Sequence, residues 1–145
     1  MTRETPALPR QVLVLIGSRQ AATAATEAAV AAADPRARMT LLAVAAPPGV
    51  FARQYVEVRA LQADILGDIN SWLAIALDAI PPTVAVKALT VLDRPVRAVR
   101  RLVESADFDL VVWHRRPGLA GRGDARAAAT LRRYGVPAIL SLPAG

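Results

Sequence analysis

The sequence predicts a single α/β domain: a parallel sheet with helices on both faces. Three observations carry that reading. Short apolar runs alternate with helical patterns from one end of the chain to the other. The runs are nearly continuous, as strands buried on both faces are, and do not alternate apolar with polar. The connections are short, which favours consecutive strand–helix–strand units. At 145 residues, with 54% hydrophobic and 21% charged, the chain suits one domain with a full core and argues against disorder.

Residues 1–10 hold two prolines and no periodicity, and read as a loose arm ahead of a domain spanning 11–145. Gln11–Ile16 (QVLVLI) is the first strand, ended by Gly17-Ser18. Ser18 suits the N-cap of an Ala-rich helix over Gln20–Ala33, which Asp34-Pro35 terminates. Met39–Ala45 is the second strand, broken by Pro47-Pro48-Gly49. The longest helical pattern runs from about Val50 to Ile80. Its apolar stripe includes Val58, Leu61, Ile65, Ile69, Trp72, Leu73 and Ala76, at spacings of three and four. Trp72 belongs to that stripe and is assigned to the core.

Pro81-Pro82 closes the helix, and Thr83–Leu92 is the third strand. Lys87 in mid-run places this strand at an exposed face or edge. Asp93 is a candidate cap for a helix over Arg94–Ser105, with Pro95 tolerated in its first turn. Val96, Val99, Leu102 and Val103 form its inner stripe, and Arg94, Arg97, Arg100 and Arg101 its solvated face. Asp109–Trp113 is the fourth strand. A helix over Asp124–Tyr134 follows, capped by Asp124 and stopped by Gly135 in a left-handed turn. Val136–Leu142 is the fifth strand, with Pro137 limiting its ladder on one side.

Composition narrows the chemistry. With no cysteine, disulfides, thiolate metal sites and cysteine nucleophiles are excluded. With one histidine, a His-based metal cluster is excluded as well. No triad, paired-carboxylate site or phosphate-loop lysine can be assembled, so no catalytic or metal-ligating residue is assigned. The amino-terminal residues lack the apolar core of a signal peptide, and no run suits a membrane span; the expectation is a cytosolic protein. The net charge of +6 rests on arginine, since Lys87 is the sole lysine among 18 basic residues. A codon bias toward Arg and Ala accounts for this. Nucleic acid is disfavoured as a partner, because aromatics are only 4% and no recognition motif appears.

The most informative stretch is DFDLVVWHRRPGLAGRG, from Asp107. An apolar strand stops at His114, and a basic, glycine-bearing loop leads toward a helix, the usual ligand position in α/β proteins. His114, Arg115, Arg116, Gly118, Gly121 and Arg122 in this stretch, with Gly17 and Ser18 after the first strand, are the candidate anion- or nucleotide-binding residues. Arginine forks can hold phosphate without backbone help.

Five strands, a long second helix and Asp-Leu-Val-Val before a basic loop together resemble the universal stress protein family. The resemblance rests on QVLVLIGS at the first strand, LDRPVRAVRRLVESADFDLVVW in the middle and YGVPAILSL at the end, and spans Gln11 to Leu142. It implies a Rossmann-like, three-layer fold with a five-stranded parallel sheet in the order 3-2-1-4-5. The ligand crevice then lies between strands one and four. It also implies a homodimer joined through the last strand, which makes Val136, Ala138, Ile139 and Leu140 the candidate contacts.

Nucleotide-binding members of that family carry an Asp before Gly-Ser, a G-x-x-G loop after strand four, and a later G-[ST] at the start of the last helix. Here those positions fall on Ile16, on His114 and Pro117, and near Asp124-Ala125. Isoleucine accepts no hydrogen bond, and proline has no N–H to offer a phosphate. The expectation is therefore a regulatory, stress-response domain without catalysis, homodimeric and working through contacts with an unidentified protein, with no bound cofactor. The alternative is a sensor that holds ATP, another adenine nucleotide or a small anion on the arginines of the fourth loop, with at most weak nucleotide hydrolysis.

Overall fold

The computed structural model describes residues 8–45, 55–115, 118–133, 135–136 and 138–141, with the backbone alone for 55–62, 95, 96, 120 and 138–141. The elements in chain order are β1 (Gln11–Ile16), α1 (Arg19–Ala32), β2 (Arg38–Ala45), α2 (Tyr55–Asp78), β3 (Ala85–Leu92), α3 (Pro95–Ser105), β4 (Leu110–His114), α4 (Gly118–Arg133) and β5 (Ala138–Ser141). Residues 1–7 of the expected arm, the Pro47-Pro48-Gly49 break, Arg116, Pro117, Tyr134 and the tail from Leu142 lie outside the described residues.

The sheet differs from the expected five-stranded one, 3-2-1-4-5 with a last strand over Val136–Leu142, in the extent of that last strand. Its body is four parallel strands in the order β3-β2-β1-β4, each paired over four to eight residues. In place of the expected strand over Val136–Leu142 there is a four-residue edge piece, β5, paired parallel to β4 from Val111↔Ala138 to His114↔Ser141, so that the full order is β3-β2-β1-β4-β5. Gly135, at φ +81, turns the chain in the left-handed region ahead of β5, which starts at Ala138; Pro137, expected to limit the ladder, lies outside the described residues. β3 is the opposite edge, and Lys87 on it is exposed.

The strands alternate their side chains between two cores. Val12, Val14 and Ile16 of β1, with Met39, Leu41, Leu110 and Val112, face α1 and α2. Leu13 and Leu15, with Leu42, Val44, Val111 and Trp113, face α3 and α4. Ala22, Ala25 and Ala29 of α1 are fully buried, because a methyl side chain lets the helix approach the sheet closely. Trp72 is half-buried against the first core, and Ile69 is fully buried.

Two expected caps are corrected. Asp93 does not cap α3: the N-cap is Arg94, which has no side-chain cap bond, and Asp93 Oδ1 instead accepts from the Arg94 N–H at 2.7 Å. Asp124 does not cap the last helix either. α4 starts six residues earlier than expected, at Gly118, and Asp124 lies inside it, 2% exposed. By contrast, Ser18 caps α1, its Oγ accepting from the Ala21 N–H at 3.1 Å.

Residues 9 and 10 are not loose. Pro9 C=O accepts from Asp34 N–H at 2.9 Å, and the Arg10 and Gln11 N–H groups donate to Asp109 Oδ2 at 3.0 and 2.9 Å. Asp109 thereby ties the entry of β1 to the entry of β4 and supports the register Leu15↔Trp113 at their far ends.

Candidate functional site

The strand order reverses at β1, which lies between β2 and β4, so the two connections leaving β1 and β4 depart to opposite faces of the sheet. A crevice opens at such a switch point, outside the carboxyl ends of the strands. Gly17 and Ser18 follow β1 and lead into the head of α1, and His114 and Arg115 lie at the end of β4, ahead of α4. The register Leu15↔Trp113 brings the end of β1 level with His114. Both helices point their amino-terminal, partially positive ends at the crevice.

The structure gathers the predicted residues unevenly. Gly17 is exposed, and Ser18, His114 and Arg115 are half-buried at the crevice. Gly118 is exposed at the first turn of α4 with φ +68, a conformation glycine adopts without penalty. Gly121 and Arg122 are elsewhere in character: both lie within α4, Gly121 buried and Arg122 exposed. Arg115 Nε donates to the Gly121 carbonyl at 3.2 Å, which holds the guanidinium against the head of α4. Arg116 and Pro117 lie outside the described residues.

The consequence is a short fourth loop. Only residues 115–117 separate β4 from α4. The glycine-bearing segment expected to cradle an anion is helical, and from the second turn of α4 the N–H groups are engaged within the helix. Ile16 is fully buried in the core on the α1 face, so it offers nothing to a ligand. Among the described residues, the anion-binding groups that remain are the first-turn amides of α4, the Arg115 guanidinium and the Gly17-Ser18 turn.

Beneath α4 lies a feature sequence reasoning missed. Leu15, Val99, Arg100, Trp113, Asp124, Ala127, Thr130 and Leu131 line a cavity of about 30 Å³. Trp113, 4% exposed, fills the core as its apolar strand predicts, but its indole N–H finds no hydrogen-bond partner. A hollow of about 460 Å³ lies at the other end of the strands, among Gln11, Arg38, Lys87 and Phe108, remote from the crevice. Among the described residues no group of three or more His, Cys, Asp and Glu suits a metal ion. Among them, too, no helix is long and apolar enough to cross a membrane. Of the candidate dimer contacts, Val136 is half-buried against the α3–α4 core, and the side chains of Ala138, Ile139 and Leu140 lie outside the described residues.

No family model and no curated protein matches the sequence. Solved structures do match in fold. A universal stress protein in complex with cAMP superposes with a TM-score of 0.59 at 21% identity, covering 92% of this chain and 97% of that one. A protein described as hypothetical, whose biochemical function was assigned from its structure, gives 0.65 at 12% identity over 92% and 96%. A universal stress protein family protein from Arabidopsis thaliana with AMP bound gives 0.57 at 14% identity over 92% of each chain. At such identities the likeness speaks for the backbone alone. Over nearly its whole length, this chain has the fold of the universal stress proteins.

Proposed function

We propose that the chain is a regulatory module that binds an adenine nucleotide or a similar small anion in the crevice between β1 and β4. The observation that carries this reading is the convergence of two helix heads and an anchored arginine on that crevice: Gly17-Ser18 at α1, Gly118 at α4, and Arg115 held by Gly121. Two structures that share the fold hold cAMP and AMP, which supports the same choice over action by protein contacts alone. The three-residue connection from β4 to α4 favours a single phosphate over a triphosphate, because few backbone amides remain to wrap a longer chain. Pairing of two copies along the outer edge of β5 is part of the proposal, as is the absence of catalysis.

Calorimetric titration with AMP, cAMP and ATP tests the reading. AMP or cAMP should bind at least as tightly as ATP. Arg115→Ala should remove a charged hydrogen bond of about 1.5–3 kcal/mol, weakening binding roughly 10- to 150-fold. Heat with none of the three, or heat indifferent to Arg115, would remove the proposal. Light scattering that shows only monomer at tens of micromolar would remove the dimer.

A further inference from the structure

The arginines of this chain are not scattered as a codon bias would scatter them. The helices on one face of the sheet, α1 and α2, hold Arg19 and Arg59 as their only basic residues, and α2 carries Glu57, Asp64, Asp68 and Asp78. The shorter pair on the other face, α3 and α4, holds Arg97, Arg100 and Arg101, and Arg122, Arg126, Arg132 and Arg133. Those seven side chains are exposed. A mutational or codon bias acts on both faces alike, so it explains the number of arginines and leaves their segregation unexplained.

The two arginine-bearing helices are also neighbours. α3 and α4 flank the same small cavity, with Arg100 and Val99 from one helix and Ala127, Thr130 and Leu131 from the other. On α4, Arg122, Arg126 and Arg133 lie on a single stripe at spacings of four and seven. On α3, Arg97 and Arg100 or Arg101 lie one turn apart. Arg101 is partly neutralised by Asp93 at 3.7 Å, whereas no ion pair engages Arg97, Arg100, Arg126 or Arg133 among the described residues. Asp124 is 2% exposed, so Glu104 of α3 is the one acidic side chain that these two helices expose, against seven arginines.

From this arrangement we propose that the α3–α4 face binds the phosphate backbone of duplex DNA without regard to sequence. The site is separate from the β1–β4 crevice, and the inference does not depend on nucleotide binding there. Guanidinium forks match phosphate geometry better than they match a hydrated point charge. Neither helix carries an aromatic residue, so the surface has no platform for the unstacked bases of a single strand. Its only strongly exposed large apolar residue among those described is Leu119, at 81%, too little to enter a lipid surface. The low aromatic content that disfavours base recognition is thus compatible with backbone recognition.

Fluorescence anisotropy of the full chain with two labelled duplexes of unrelated sequence tests this. Each phosphate neutralised lowers the log of affinity by about 0.9 per decade of salt. Four contacts, from Arg97, Arg100, Arg126 and Arg133, therefore predict about a 150-fold loss between 50 and 200 mM salt. Arg97→Gln with Arg126→Gln should reduce the slope by about 1.8, and the corresponding lysine pair should keep most of it. Arg19→Gln with Arg36→Gln, away from this face, should leave it unchanged. Equal affinity for the two duplexes and that pattern of slopes support the proposal. It is overturned by no binding at 50 mM salt, by a slope near zero, or by equal losses in the control pair. Tighter binding to anionic lipid vesicles or to polyglutamate than to duplex also overturns it. Circular dichroism verifies that each variant is folded.

Discussion

Replacing Asp109 by alanine should loosen the joint between β1 and β4 without touching the crevice at their far ends. The carboxylate accepts two backbone N–H groups, Arg10 at 3.0 Å and Gln11 at 2.9 Å, across nearly a hundred residues of sequence. A hydrogen bond to a charged acceptor contributes about 1.5–3 kcal/mol, but Asp109 is exposed and water replaces part of what is lost. The pair together is therefore set at about 1–2 kcal/mol. Unfolding entropy near 2.1 cal/mol/K per residue gives about 0.3 kcal/mol/K for 145 residues, so melting should fall by about 3–7 °C. Asp109→Asn keeps a neutral acceptor and should lose about half as much. Differential scanning calorimetry reads the shift, and hydrogen exchange at the Arg10 and Gln11 amides should quicken in the alanine variant. An unchanged melting temperature, or slowed exchange at those amides, would refute the reasoning.

Two further substitutions bear on the helices that frame the site. Thr26 is fully buried in α1 and its hydroxyl has no partner, so Thr26→Val should stabilise the protein by about 1 kcal/mol and raise its urea midpoint. Gly118 sits at φ +68 with open space where a Cβ would lie, so Gly118→Ala should cost the left-handed strain alone, about 1–2 kcal/mol in chemical denaturation.

The layering was legible because it follows from local patterns. QVLVLI and MTLLAVA are unbroken apolar runs, and the structure buries Val12–Ile16 and Leu41–Val44 on both faces of the sheet. Ser18 was legible as a cap because its type and position agree with the helix that follows. The head of α4 was not. Gly118, Gly121 and Gly123 suggest a loop by propensity, yet the segment is helical, with Gly121 buried and accepting from Arg115. Tertiary packing there overrides the cost of glycine in a helix, about 1 kcal/mol per residue. Asp124 misled for the same reason: an Asp after glycine suits a cap, and burial against the α3–α4 core carries no local sequence mark. The arginine-bearing face was visible on α3 as a solvated stripe, but its union with α4 needed the helices placed side by side. Asp109 signalled nothing until the strands were paired, since its partners lie at the other end of the chain.

The claim on which the functional account turns is that a ligand of adenine-nucleotide type sits where β1 and β4 end. Amide chemical shifts followed by NMR during addition of AMP measure this most directly. Gly17, Ser18, His114, Arg115 and Gly118 should move together along one saturating curve. Saturating shifts confined to α3 and α4 around Arg97 and Arg133, or no shifts at millimolar AMP, would contradict it.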